Sequence, residues 1–189
     1  MNFPNVIGLK GKIGAGKSTA AEYFIERGYK LIKVADPLKN MLRALGLSEE
    51  QIEGERKGEP SILLSGATPR HAMQTLGTEW GRGIHPDFWV NLWRHEAIKH
   101  PLVVVDDCRF KNEALAIHDL CGVVIEIRRP APPGAADAHI SEVQDWRADM
   151  CVLNEGFNKE ILFARLEGVI AIWDESNTCH WKRDAARFA

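Results

Sequence analysis

Short apolar runs alternate with amphipathic stretches along the chain, and this alternation predicts an α/β fold. The first run, Val6 to Leu9, leads into a glycine-rich turn. The run at 102–105 is apolar at every position, which is typical of a parallel strand that is covered on both faces. Further strands are expected at 29–34, 123–127 and 150–153. The pattern therefore predicts a central parallel sheet of five strands.

Helices are predicted between these strands, where apolar residues recur at helical spacing. Glycines that tolerate a positive φ are expected to end the first two helices, at Gly28 and Gly46. Trp89 and Trp93 lie four residues apart on one predicted helix, which favours packing in the core. The largely polar stretch 54–67 is expected to form a loop. The predicted helices cover Lys17 to about Arg27, Asp36 to about Leu45, Pro69 to Leu76, Pro86 to about Ala97, Lys111 to Cys121 and Phe157 to Trp173.

The glycine-rich turn after the first strand has the pattern G-x-x-x-x-G-K-S, from Gly11 to Ser18. This pattern, between a strand and a helix, is typical of a phosphate-binding P-loop. Its glycines let successive backbone N–H groups point at a phosphate, and the helix N-terminus adds partial positive charge. Lys17 can reach the β- and γ-phosphates of a nucleotide, and the hydroxyl of Ser18 can bind Mg²⁺.

A P-loop protein also needs an acidic residue that orients the metal, at the end of a neighbouring strand. The apolar run at 102–105 ends in Asp106 and Asp107, which supplies two candidates. We expect one of them to cap the following turn and the other to serve the metal. The pattern of residues alone leaves both assignments open.

Composition narrows the class of protein. The chain has 189 residues and a formal net charge of −2, so positive charge for binding phosphate must be concentrated locally. It has no guanine-recognition motif, no second half long enough for a motor and no basic stripe that would predict nucleic-acid binding. No apolar run approaches the ~20 residues of a membrane span. A small-molecule kinase suits these features.

Such a kinase must stabilise the negative charge that develops on the transferred phosphoryl group, so it needs arginines beyond the P-loop. Arg109 is the favoured candidate because it follows the Asp-Asp strand end, where ligands bind in open α/β sheets. Trp80 lies in a glycine-flanked turn and could stack on a base or pack in the core. The other candidate arginines are Arg70, Arg82, Arg128, Arg129 and Arg147.

With these motifs in place, the chain resembles the bacteriophage-type deoxynucleoside monophosphate kinases, within the broader nucleoside monophosphate kinase group. The resemblance covers nearly the whole chain, and its third and fourth segments are the specific ones. The segments are GLKGKIGAGKST at 8–19, ADPLK at 35–39, PR at 69–70 with QTLGTEWGR at 74–82, DCRFKNE at 107–113, and HISE at 139–142 followed by Asn154.

The resemblance implies an enzyme that uses ATP and Mg²⁺ to phosphorylate a deoxynucleoside monophosphate. Asp107 then matches the acidic position that serves the metal together with Ser18, and Arg109 matches a catalytic arginine. Arg129 is expected to act on the transferred phosphate, and Arg128 to bind substrate. Residues of the implied ATP phosphate loop are Gly11, Gly14, Ala15, Gly16, Lys17, Ser18 and Thr19. Residues implied to bind the acceptor are Asp36, Lys39, Arg70, Gln74, Trp80, His139 and Glu142.

The resemblance also implies a three-layer P-loop kinase fold in a single domain. Its core is expected at 5–34, 100–128 and 148–173. A helical acceptor-binding insertion is expected at about 35–99, and a lid at about 129–147.

Two other functions stay open at this point. The chain could phosphorylate another small acceptor, such as dephospho-coenzyme A or a modified nucleotide, or it could be a nucleotide-binding regulator without transfer. The acid-and-arginine segments argue against a regulator, because binding alone does not require them. The expected partners are small nucleotides, with no nucleic acid and no membrane, and a homodimer is possible. The expected compartment is the cytoplasm, that of the host if a phage encodes the chain.

Overall fold

The computed structural model describes residues 3–130, 146–156 and 158–177. These residues contain a five-stranded sheet in the order β2-β3-β1-β4-β5, with every neighbouring pair parallel. The predicted five-stranded parallel sheet is therefore confirmed. The strands are β1 (Val6–Lys10), β2 (Lys30–Leu31), β3 (Val103–Val105), β4 (Val123–Arg128) and β5 (Met150–Leu153).

Strand β2 is shorter than the predicted 29–34. It pairs with β3 only through Lys30 and Leu31. Beyond it, Ile32 and Val34 are buried but lie outside the sheet. The carbonyl of Ile32 instead accepts a hydrogen bond from the indole N–H of Trp93 at 3.0 Å. The apolar pattern thus correctly predicted that Ile32 and Val34 are buried, but it wrongly predicted that they pair in the sheet.

Helices cover both faces of the sheet. Ile7 and Leu9 of β1 share one apolar core with helices α1 (Lys17–Ile25) and α8 (Lys159–Asn177), which contact each other. Gly8, between them, faces the other side, where an added Cβ would lie 2.5 Å from Cδ1 of Ile117 on α7 (Lys111–Asp119). This alternation produces three layers, as predicted. The helices are α1 (Lys17–Ile25), α2 (Asp36–Ala44), α3 (Glu49–Ile52), α4 (Pro69–Gln74), α5 (Arg82–Ile84), α6 (Phe88–Ala97), α7 (Lys111–Asp119) and α8 (Lys159–Asn177).

The chain forms two compact units. The first contains the described residues up to Leu31 and those from His100 onward, and it holds the sheet. The second, Ile32–Lys99, is helical. Leu42, Leu47 and Ile52 form a small apolar cluster within it.

The second unit differs from the predicted pattern in two places. Two short 3₁₀ turns, Glu55–Gly58 and Ile62–Leu64, lie in the stretch expected to be a loop. The helix predicted to end at Leu76 continues as a π-helical segment, Thr75–Gly81, directly into α5. Gly81 permits close packing there, because Trp89 lies against its Cα and leaves no room for a side chain. Trp89 and Trp93 are both buried, as predicted.

Among the residues that the structure describes, no helix is long and apolar enough to cross a membrane.

Gly122 and Gly168 provide a matched test of the packing between β4 and its neighbours. A Cβ on Gly122 would lie 2.5 Å from the carbonyl oxygen of Val6 and 2.7 Å from Cγ2 of Ile117. We expect Gly122→Ala to lower the free energy of unfolding by roughly 1–3 kcal/mol, because the backbone of β1 must shift. Gly168 is exposed on α8 with open space around it, so Gly168→Ala should raise that free energy by up to ~1 kcal/mol. Urea denaturation of both variants checks the pair, and equal effects would contradict it.

Candidate functional site

The turn between β1 and α1 has the backbone that a phosphate-binding loop requires. Gly11, Gly14 and Gly16 have φ values of 151°, 74° and 97°, in the region that favours glycine. A Cβ on Gly11 would collide with the carbonyl of Ile127, and one on Gly16 with the amide of Asn154. Gly16 directly precedes α1, so the N–H groups of the first turn of α1 are available to an anion.

Lys17 lies against this loop. Its Nζ donates to the carbonyl oxygens of Gly11 at 2.7 Å and of Lys12 at 3.0 Å. The ammonium is therefore held beside the loop backbone rather than extended into solvent. A phosphate bound to the loop would meet this charge directly.

Ser18 and Asp106 form the polar contact that links α1 to the end of β3. The hydroxyl of Ser18 donates to Oδ2 of Asp106 at 3.3 Å, and Asp106 is 5% exposed. The residue pattern left Asp106 and Asp107 open, and the resemblance implied Asp107, but the carboxylate that contacts Ser18 belongs to Asp106. The reason is strand alternation: successive side chains at a strand end point to opposite sides.

The donor set at this point fits Mg²⁺. A hydroxyl and a carboxylate are hard oxygen ligands, and Mg²⁺ is usually held by one or two carboxylates together with phosphates and water. Within the described residues, no group of three or more histidine, cysteine and acidic side chains could hold a metal by itself. The pair Ser18–Asp106 therefore suits a metal that arrives with a nucleotide.

Asn154, just after β5, buttresses the loop, a role that was not predicted from the sequence. Its amide Nδ2 donates to the carbonyl of Ala15 at 2.8 Å, and its Oδ1 accepts from the N–H of Gly156 at 3.0 Å. It is 8% exposed. The signal available in sequence was a polar residue directly after a buried strand, within a segment of the resemblance.

Arg128, the last residue of β4, and Arg129, which follows it, are placed differently. Nη1 of Arg129 donates to the carbonyl of Gly14 at 3.1 Å, so this guanidinium lies on the phosphate loop. Arg128 instead pairs with Glu126 at 2.8 Å and is largely exposed. The structure thus brings Arg129 together with Lys17 and leaves Arg128 in a surface ion pair.

The backbone of Arg109 and Phe110 is held by Glu113. Oε2 of Glu113 accepts from the N–H groups of Arg109 at 2.6 Å and Phe110 at 3.0 Å, at the start of α7. Cys108 is fully buried, and burial, followed by the charge of Glu113, raises the pKa of its thiol well above the usual range. This cysteine is therefore an inert packing residue.

In the second unit, a cluster of cations surrounds Glu53. Lys39, which is 9% exposed, places Nζ 2.7 Å from Oε1 of Glu53, and Arg43 and Lys57 each approach this carboxylate at 3.9 Å. Burial lowers the pKa of Lys57, and the positive charges of Lys39 and Arg70 lower it further, against the opposing effect of Glu53. Burial tends to raise the pKa of Glu53, but the hydrogen bond from Lys39 and nearby cations outweigh it and lower that pKa. Arg43 also pairs with Glu49 at 2.6 Å, so the three cations Lys39, Arg43 and Lys57 face two carboxylates, and positive charge is in excess.

The remaining predicted acceptor residues lie around this unit. Asp36 accepts from the N–H of Lys33 at 2.9 Å, at the start of α2. Gln74 ends α4 and is partly exposed. Trp80 is 43% exposed and meets the ring of Phe88 edge-on at 5.5 Å. His139 and Glu142, with most of the predicted lid, lie outside the described residues.

Comparison with known proteins adds to this geometry. A protein of Acanthamoeba polyphaga mimivirus named "Putative deoxynucleotide monophosphate kinase" is 40% identical over 157 residues, which cover 74% of this chain and 81% of the viral protein. A dephospho-CoA kinase of Ruegeria pomeroyi is 32% identical over 110 residues, 58% of this chain and 50% of that enzyme. No protein-family model matches. The crystal structure of TT1252 from Thermus thermophilus aligns with 90% of this chain and 98% of the TT1252 chain, at 19% sequence identity. The TM-score of 0.51 shows a similar fold.

Asn154→Ala tests the buttress of the loop. The change leaves the carbonyl of Ala15 without its buried donor and removes the acceptor of the Gly156 N–H, so we expect the free energy of unfolding to fall by about 1–3 kcal/mol. Asn40→Ala is the control, because Asn40 is exposed and its hydrogen bond to Arg43 lies at the surface. It should change stability by less than about 0.5 kcal/mol. Chemical denaturation monitored by tryptophan fluorescence measures both, and a loss for Asn154→Ala no larger than the control would remove the buttress role.

Proposed function

The chain belongs to the deoxynucleotide monophosphate kinase family, and on that basis we propose that it transfers the γ-phosphoryl group of ATP to a deoxynucleoside 5′-monophosphate. Its fold is that of a P-loop kinase, and the relationship makes it a phosphotransferase. The product of the proposed reaction is the deoxynucleoside diphosphate. The single observation that carries the proposal beyond homology is the loop itself: Lys17 and Arg129 both lie on its carbonyls, beside the start of α1.

The residues of the first unit supply what phosphoryl transfer needs. The transferred group is highly charged, so catalysis depends on positioning and on neutralising that charge. Lys17 and Arg129 would neutralise charge on the phosphates of ATP. Arg109, at the start of α7, would neutralise charge on the transferred phosphoryl group. The acceptor phosphate is already a competent nucleophile, so the mechanism requires no strong general base.

Ser18 and Asp106 would hold the Mg²⁺ ion that accompanies the nucleotide. Mg²⁺, when bound, would neutralise charge on the β- and γ-phosphates. The hydrogen bond between Ser18 and Asp106 supports Asp106, in place of Asp107, as the acidic partner. Asp107 would then cap the turn that follows β3, the other role that the sequence left open.

For the acceptor we propose residues of the helical unit. Lys39 and Arg70 belong to the region of excess positive charge around Glu53, which suits a nucleotide monophosphate. Asp36 and Gln74 supply hydrogen-bonding groups, and the exposed face of Trp80 is able to stack on a base. His139 and Glu142 stay predictions from the resemblance.

A second acceptor deserves a test because one relative is a dephospho-CoA kinase. That similarity reaches half of the relative's length, whereas similarity to the mimivirus protein reaches 81% of its length. The larger coverage supports the nucleotide monophosphate as the first choice. Dephospho-CoA therefore enters the assay as a competing acceptor.

The test is a coupled assay that measures ADP formation with the four common deoxynucleoside monophosphates, the ribonucleoside monophosphates and dephospho-CoA. We expect transfer to at least one deoxynucleotide and none to dephospho-CoA. Lys17→Ala is the control, which should lose roughly 100-fold or more in rate with the circular dichroism spectrum unchanged. Transfer only to dephospho-CoA would replace the acceptor, and wild-type rates in Lys17→Ala would refute the mechanism.

Asp106→Asn and Asp107→Asn separate the two neighbouring acids. Because only Asp106 is hydrogen-bonded to Ser18 in the contacts described, we expect Asp106→Asn to raise the Mg²⁺ concentration needed for half-maximal rate by about 10- to 100-fold. Asp107→Asn should change it by less than about threefold, because the hydroxyl of Ser18 contacts Asp106 and not Asp107 among the contacts described. Mg²⁺ titration of the kinase rate measures both variants. The opposite order would return the metal role to Asp107.

A further inference from the structure

We propose that Trp146 is a positioning residue that fixes the backbone from which Arg109 reaches the transferred phosphate. This inference rests on the proposed kinase function, and it adds a residue to which neither the sequence nor the resemblance gave a role. It follows from contacts at both ends of the Arg109 backbone and from a buried charge at the start of the phosphate loop.

The backbone of Arg109 is hydrogen-bonded on both sides. Its N–H donates to Oε2 of Glu113 at 2.6 Å, and its carbonyl accepts from the indole Nε1–H of Trp146 at 3.0 Å. Glu113 is four residues away along the chain, whereas Trp146 is thirty-seven residues away, so the second contact is tertiary. A residue held at both peptide groups has little freedom in φ and ψ. Its long side chain therefore starts from a fixed origin, which matters because misplacement of a catalytic group costs rate steeply.

Trp146 is itself anchored by Lys10. The backbone carbonyl of Trp146 accepts a hydrogen bond from Nζ of Lys10, and the ammonium lies 4.2 Å from the centre of the indole ring. Lys10 is only 2% exposed, and a charge so deeply buried must be satisfied by its neighbours. In the contacts described, Trp146 offers it both a carbonyl oxygen and an aromatic face.

Lys10 is the last residue of β1 and directly precedes Gly11 of the phosphate loop. The contacts Lys10–Trp146–Arg109 therefore connect the start of the loop that would hold ATP to the arginine that would act on the transferred group. All three residues belong to the first unit. If this connection sets the position of Arg109, disturbing it should affect the chemical step more than nucleotide binding.

Trp146→Phe is the informative variant. It removes the indole N–H but keeps an aromatic face for Lys10 and the backbone carbonyl that Lys10 contacts. We expect kcat to fall about fivefold to twentyfold, with KM for ATP changed by less than about twofold. In an Arg109→Ala background the same substitution should cause less than about a twofold further loss, because its effect passes through the arginine.

Trp93→Phe is the matched control. Trp93 also donates its indole N–H to a backbone carbonyl at 3.0 Å, that of Ile32, but it has no contact with Arg109 among those described. Both variants should lower the melting temperature, and only Trp146→Phe should show the kcat loss that disappears without Arg109. Lys10→Met tests the same connection from its other end, should Trp146→Phe fail to fold. An unchanged kcat, or an equal loss with and without Arg109, overturns the proposal.

Hydrogen–deuterium exchange keeps this inference distinct from the proposed function. In Trp146→Phe, amides in the peptide covering 107–113 should exchange faster than in the unmodified protein, whereas Trp93→Phe should leave that peptide unchanged. This result does not depend on kinase activity. If no acceptor is phosphorylated, the proposed function fails while exchange still reports on the anchor. Unchanged exchange in the 107–113 peptide overturns the positioning role whatever the activity.

Discussion

The close approach of the phosphate loop to the ends of β4 and β5 is the constraint on which the rest of the site depends. Gly11 and Gly16 have left-handed backbones and no Cβ, so Ile127 and Asn154 can pack directly against the loop. The carbonyl of Gly11 can then accept a hydrogen bond from Lys17, and α1 can begin directly after Gly16. A side chain at either glycine would separate the loop from the strands that support it.

The parallel sheet explains why residues distant in sequence meet at this loop. Strand β1 lies between β3 and β4, and parallel strands end at the same edge. Ser18 therefore meets Asp106, which follows β3, and Gly14 meets Arg129, which follows β4. Lys10 and Trp146 extend the arrangement to Arg109. The site is thus a property of strand order more than of any one segment.

In the helical unit, the apolar pattern predicted which residues are buried but not the helix type or the ion-pair contacts. The apolar spacing of α6 correctly predicted buried Trp89 and Trp93, because amphipathic periodicity directly reports burial. The π-helical segment Thr75–Gly81 was missed, because apolar spacing does not indicate whether a turn closes its hydrogen bonds as an α-helix or as a π-helix. Similarly, the polar stretch 54–67 was expected to be a loop, and nothing in its pattern indicated that Lys57 lies in the cation cluster around Glu53.

The sequence by itself determined the α/β class, the five parallel strands, the phosphate loop and the family. These follow from burial periodicity and from a motif whose glycines and lysine are contiguous, so that their chemistry is local. Only the tertiary structure decided that Asp106 rather than Asp107 meets Ser18, that Asn154 supports the loop, and that Trp146 holds Arg109. Each of these contacts joins residues that are far apart in the sequence. Strand order and side-chain direction decide such contacts, and local sequence patterns specify neither of them.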